Sequence, residues 1–177
     1  MDRLEVAHRR LHNHHLSGRP LPDPAAVVRH LGASQAQEYT MAKWSLGQRS
    51  EGADDAAVQA ALDAGTILRT HVLRPTWHFV APEDLRWMLA LTGPRVRQLS
   101  RYYERASGID DDLVDRATAV IGEALQGGNH LIRPQVQDAL AQRGIEANGV
   151  RLAYLIMAAE LTATARRRSR TSAGGRA

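Results

Sequence analysis

The sequence predicts a mainly helical fold with one small β-hairpin, built as tandem winged helix-turn-helix units of which the second lacks its wing. Three observations carry this expectation. Apolar residues recur at helical spacing through most of the chain, between punctuating glycines and aspartates suited to N-caps. Two β-prone runs, T-I-L-R-T-H (66–71) and T-W-H-F-V (76–80), follow the first set of helices. A second set of three helices, within residues 108–161, has no hairpin after it.

The elements follow in chain order. Residues 4–16 read as a helix ended by Ser17-Gly18, with Arg19-Pro20-Leu21-Pro22 extended beyond it. Asp23-Pro24 supplies an N-cap and a first-turn proline for a short helix through Leu31, closed by Gly32. Residues 39–48 form a third helix. Asp54 caps a fourth, whose stripe of Val58, Leu62 and alanines runs to Gly65. The hairpin comes next, turning at Val72-Leu73-Arg74-Pro75. Pro82, Glu83 and Asp84 suit the first turn of a helix, and helical pattern resumes from Pro94 to Arg105. Gly108 marks a boundary. Asp110 to Asp112 cap a helix through Leu125, Arg133-Pro134 open another to Arg143, and residues 150–161 make the last.

The expected domains are therefore residues 1–107, a first winged-helix unit, and residues 108–161, a partial second one. Residues 162–177 hold no aliphatic side chain larger than alanine and are expected to form a disordered basic tail.

Composition narrows the function classes. The 177 residues are 44% apolar, enough for a packed core, while aromatics make up only 5%. The absence of cysteine removes disulfides, thiol nucleophiles and cysteine zinc sites. No apolar run approaches the ~18 residues of a membrane span, and Asp2, Arg3 and Glu5 do not suit a secretion signal. The expectation is a cytoplasmic protein that does not engage a membrane, and no protein partner is inferred. The isoelectric point of about 10.1 suggests nucleic acid. Yet five arginines and no acid lie in residues 162–177, and without them the net charge of +4 becomes −1 for residues 1–161. The body offers positive charge only in patches.

Three stretches carry a resemblance. They are L-G-A-S-Q-A-Q-E-Y (31–39) with W-S-L-G-Q-R (44–49), then I-L-R-T-H-V-L-R-P-T-W-H-F-V-A-P-E-D (67–84), and, more weakly, R-L-A-Y-L-I-M-A-A-E-L (151–161). Together they resemble the AlkZ-like DNA glycosylases over roughly residues 3–161. That resemblance implies winged-helix units around a basic DNA channel, double-stranded DNA bearing alkylated or crosslinked bases as partner, and excision of N7-alkylguanines without a cofactor. It assigns Gln35 and Gln37 to a catalytic Q-x-Q motif. Family members are about twice as long, and where they continue past A-E-L this chain becomes arginine-rich. A truncated or frameshifted member, inactive by itself, is therefore expected as one outcome. A non-catalytic winged-helix DNA-binding protein or regulator is the alternative.

The residues themselves leave two readings of the glutamines open. Alternate side chains share a side only on an extended segment, whereas on a helix they lie ~200° apart. If 35–37 is extended, Gln35 and Gln37 can converge on one ligand while Ala36 faces away. Each carboxamide then offers one acceptor and two donors, which can orient water without titrating. If the segment begins a helix, Ser34-Gln35-Ala36-Gln37 is a capping box, with Ser34 as N-cap and Gln37 reaching back.

Arg69, His71, Arg74 and His78 fall on the hairpin. Arg69, His71 and Arg74, with Arg95 and Arg97 on the following helix, are candidate DNA contacts; exposed solvated charge is the plainer reading, and an interior role suits His78. Trp44, Trp77 and Trp87 read as core rather than base-stacking platforms. His8, His12 and His15 share a helical face, but no acid or cysteine accompanies them, so no metal site is assigned.

Overall fold

The computed structural model describes residues 2–172, with side chains through Thr162. Its elements are α1 (Arg3–Asn13), α2 (Pro24–Leu31), β1 (Ala33–Gln35), α3 (Tyr39–Gly47), α4 (Asp55–Asp63), β2 (Leu68–His71), β3 (Trp77–Val80), α5 (Pro82–Ala106), α6 (Asp111–Ala124), a 3-10 turn at Gln126–Gly128, α7 (Arg133–Ala141) and α8 (Gly149–Ser172). The chain is mainly helical with one small antiparallel sheet. It divides into two compact units, one of residues 1–72 and 76–87, the other of 73–75 and 88–177. The division falls within α5, whereas the sequence places a boundary at Gly108.

The helix starts obey local chemistry. Asp2, Asp23, Asp54 and Asp110 each accept from a backbone N–H in the first turn of α1, α2, α4 and α6, at 2.8, 2.7, 2.8 and 2.8 Å. Each satisfies a donor that the helix itself leaves unpaired. Asp110→Ala is expected to lower unfolding stability by about 1 kcal/mol, read as a lower denaturant midpoint with unchanged slope; an unaltered midpoint would remove the cap's assigned role.

In the first unit the sheet order is β1-β3-β2, with β3 antiparallel to both neighbours. The hairpin expected at 66–80 forms. β1 was not expected; it pairs Ala33, Ser34 and Gln35 with Val80, Phe79 and His78. Its three residues are too short to show a period in the sequence. The core joins Val27 and Val28 of α2, Leu46 of α3, Val58 of α4, Ile67 and Phe79, all at most 1% exposed.

The second unit packs α6, α7 and α8 around Val114, Ala117, Leu140, Leu152, Leu155 and Ala158. No strand occurs there among the described residues. α5 corrects a further expectation: it runs unbroken through Pro94. Proline there removes one helical hydrogen bond and costs about 3 kcal/mol. Burial of Met88, Leu89, Gly93, Val96 and Ser100 on both sides of it keeps the helix continuous. The Thr92 hydroxyl adds a bond to the Met88 carbonyl at 2.8 Å and accepts from the Leu73 N–H at 3.1 Å.

The disorder expected from residue 162 meets a backbone that stays helical to Ser172. Alanine and arginine are good helix formers, and no glycine or proline interrupts before Gly174. The side chains of 163–172 and all of 173–177 lie outside the described residues.

Glu104, near the end of α5, is 4% exposed, and its Oε1 has no hydrogen-bond partner. Burial raises its pKa above 4.5, opposed by the charges of Arg97 and Arg101. The folded state therefore holds this proton more tightly than the unfolded chain does. Its contribution to stability is greatest below the ordinary carboxylate pKa and is lost as pH rises to the elevated value. Glu104→Gln should flatten that part of the stability–pH curve; an unchanged slope in the variant would refute it.

Candidate functional site

Between α2 and α3 the strand β1 ends at Gln35 and the chain bends through Gln37 and Glu38 into α3, which removes one of the two readings of its glutamines. Ser34 lies in β1 opposite Phe79, and the N-cap of α3 is Glu38. The capping box is therefore absent. Ala36 is fully buried, whereas Gln35 and Gln37 are exposed on either side of it. That is the alternation an extended chain imposes.

The register that pairs Gln35 with His78 would place Ala36 opposite Trp77. There the ladder is only half made. Ala36 N–H donates to the Trp77 carbonyl at 2.7 Å. The Trp77 N–H donates instead to Gln37 Oε1 at 3.3 Å. The Ala36 carbonyl accepts from Arg69 of β2, through Nε at 3.1 Å and Nη2 at 2.8 Å. Two side chains thus replace one backbone bond, and the chain leaves the sheet here to enter α3. Among the described residues, nothing accepts from Gln37 Nε2, and its Oε1 keeps a second lone pair.

Aromatic rings enclose this opening. The Arg69 guanidinium lies 5.1 Å from the Tyr39 ring centre and 4.6 Å from that of Trp77, both within cation–π range. Tyr39 donates its hydroxyl proton to Gln59 Oε1 at 2.8 Å. Lys43, the chain's one lysine, is 7% exposed and bonds to Gln59 at 3.2 Å and to Asp55 at 2.8 Å. Sequence reasoning singled out neither Tyr39 nor the interior role of Lys43. Tyr39 follows the Q-x-Q motif by two residues, which was a usable signal; the pairing of Lys43 with Asp55 and Gln59 had none.

The other candidates distribute as follows. His71 is 7% exposed, its ring centre 3.9 Å from that of Trp77. His78 is an interior residue whose Nδ1 lies 2.8 Å from the Thr76 carbonyl. Arg69 and His71 thus join the glutamines in the first unit. Arg74, Arg95 and Arg97 belong to the second. Arg74 and Arg95 are exposed, while Arg97 pairs with Asp111 at 2.6 Å. Trp77 packs against the core as expected, but Trp44 and Trp87 are 58% and 51% exposed. The buried positions of α3 are Ala42, Lys43 and Leu46, which leaves Trp44 outward. The Trp87 indole N–H is satisfied at the surface by Asp84, at 2.7 Å. Among the described residues, no three His, Cys, Asp or Glu side chains gather around a possible metal position.

A family model described as "DNA glycosylase AlkZ-like" matches residues 28–177. The chain belongs to the AlkZ-like DNA glycosylase family. The resemblance carried by the Q-x-Q and hairpin motifs is thereby confirmed. The chain is 26% identical over 118 residues to the "Interstrand DNA cross-link repair glycosylase" of Streptomyces sahachiroi, a match covering 67% of this chain and 32% of that protein. Its fold is similar to that of Streptomyces sahachiroi DNA glycosylase AlkZ, with a TM-score of 0.70 at 21% identity, covering 88% of this chain and 43% of the other. This AlkZ-like chain therefore spans less than half the length of either relative. No helix among the described residues is long and apolar enough to cross a membrane.

Proposed function

We propose that this chain carries the reactive site of a monofunctional DNA glycosylase acting on N7-alkylated purines in double-stranded DNA. The observation that carries the proposal is the end of β1 at Gln35, with Ala36 buried and an exposed glutamine on each side of it. An N7-alkylguanine is cationic and departs as a neutral base, so its expulsion needs no strong acid. Water attacks C1′ as the C1′–N9 bond breaks, the bond's electrons pass to the base, and the water's proton goes to solvent. Gln35 and Gln37 orient that water and stabilise charge developing on the sugar, which requires dipoles rather than a titrating base. Bases crosslinked through N7 present the same leaving group, in keeping with the name of the Streptomyces sahachiroi relative.

The first unit reads as a winged helix. The order α2, β1, α3, α4, β2, β3 and the sheet order β1-β3-β2 support that reading, and α6, α7 and α8 supply a second unit with no wing among the described residues. Arg74 and Arg95, both exposed, are the proposed phosphate contacts. His71 and Arg97 would support binding by ordering their surroundings. The alternative, a regulator that reads the major groove, places α4 at the recognition position. That helix and its cap carry Asp54, Asp55 and Asp63 and no lysine or arginine. Its charge would repel phosphates, so the enzyme reading is the better supported. The deciding assay measures release of N7-methylguanine from duplex DNA by this chain in excess over substrate. Release above the spontaneous rate supports the proposal, and release at the spontaneous rate overturns it.

A further inference from the structure

Arg69, a hairpin cation, turns two of its donor nitrogens inward. Nε and Nη2 both meet the Ala36 carbonyl, and Nη2 comes within 3.4 Å of the Gln37 carbonyl. Its planar group lies against Tyr39 and Trp77. The consequence is topological. Were the Ala36 carbonyl not engaged by Arg69, the nearest donor in register would be the Trp77 N–H, the group now held by Gln37 Oε1. Pairing those two would close the ladder by one more residue and release the Gln37 carboxamide from its anchor.

We propose that Arg69 is a positioning residue for the glutamine pair: by holding the Ala36 carbonyl it keeps the sheet open at Trp77, which leaves the Trp77 N–H to fix the Gln37 carboxamide. The inference rests on the glycosylase reading for its catalytic consequence, but its structural part stands apart from it. A guanidinium is required because two donors converge on one oxygen while a flat face meets two rings. Lysine offers a point charge and cannot do both. The same chemistry distinguishes this role from phosphate binding, where charge matters more than shape.

The test compares the parent chain with Arg69→Met and Arg69→Lys by three readouts. The first is the nuclear magnetic resonance position of the Gln37 side-chain amide and the Trp77 backbone amide, with those of Phe79 and Val80 as controls. Both variants are expected to shift the Gln37 and Trp77 signals and leave the controls in place; general loosening of the sheet would move all four. The second is DNA affinity against salt, where the slope should stay at the parent value, since no phosphate contact is lost. The third is single-turnover release of N7-methylguanine, which should fall at least tenfold in both variants with little change in DNA affinity. Unmoved Gln37 and Trp77 signals would overturn the proposal. So would a salt slope reduced by about one in Arg69→Met and restored in Arg69→Lys, the mark of a phosphate contact. An inactive parent would count against the proposed function, while the resonances would still decide the role of Arg69. Should Arg69→Met fail to fold, Arg69→Lys keeps the charge and the aliphatic stem and carries the comparison.

Discussion

Gln37→Ala is expected to lower single-turnover excision of N7-methylguanine at least tenfold, about 1.4 kcal/mol of barrier. Gln35→Ala should impair it too, because the two carboxamides flank the same buried alanine and would contact one water or sugar. DNA affinity should change much less in either variant, since neutral amides add little to phosphate binding. A stability cost accompanies the first substitution: the Trp77 N–H loses its acceptor at Gln37 Oε1, worth about 1 kcal/mol. Unfolding must therefore be measured beside excision, so that lost chemistry is separated from lost folded protein. A Gln35→Ala, Gln37→Ala double mutant with the parent's excision rate would end the catalytic assignment.

Phe79→Ala is expected to cost 3–5 kcal/mol of stability, of the order seen for buried phenylalanines. Phe79 is the chain's one phenylalanine and is fully buried. It sits on the central strand, opposite Ser34 on one side and Arg69 on the other, with its ring edge-on to Tyr39 at 6.2 Å. Its side chain enters the core shared with Val27, Val28, Leu46 and Val58, and the strand that carries it is held in register by a neighbour on each side, which limits collapse of the cavity left by its removal. Denaturant unfolding reads the effect, with Tyr102→Ala as a control. Tyr102 is 70% exposed, so its loss should stay within about 0.5 kcal/mol. A cost below about 1.5 kcal/mol at Phe79 would mean that the sheet repacks more freely than this arrangement implies.

What was legible in the sequence was local. Asp23-Pro24, Asp54 and Asp110 announced helix starts because a cap joins residues only three apart. The hairpin showed itself through two β-prone runs around Arg74-Pro75. Pro94 misled, because its local cost is visible in the chain while the compensating burial along α5 is not.

The candidate site divides along the same line. The amino-acid sequence by itself determined the family, through motifs whose order and spacing survive in the linear chain, and it named Gln35 and Gln37. It could not choose between a capping box and a convergent pair, since S-Q-A-Q satisfies both local rules. Tertiary structure removed the capping box through residues far away in sequence. Phe79 and His78 hold Ser34 and Gln35 in a strand, and Arg69 and the Trp77 N–H hold Ala36 and Gln37 just beyond it. Strand pairing and side-chain hydrogen bonds across 33 to 45 positions therefore outweigh a local cap, because they satisfy polar groups around the buried Ala36 that a helix start at Ser34 would leave to solvent.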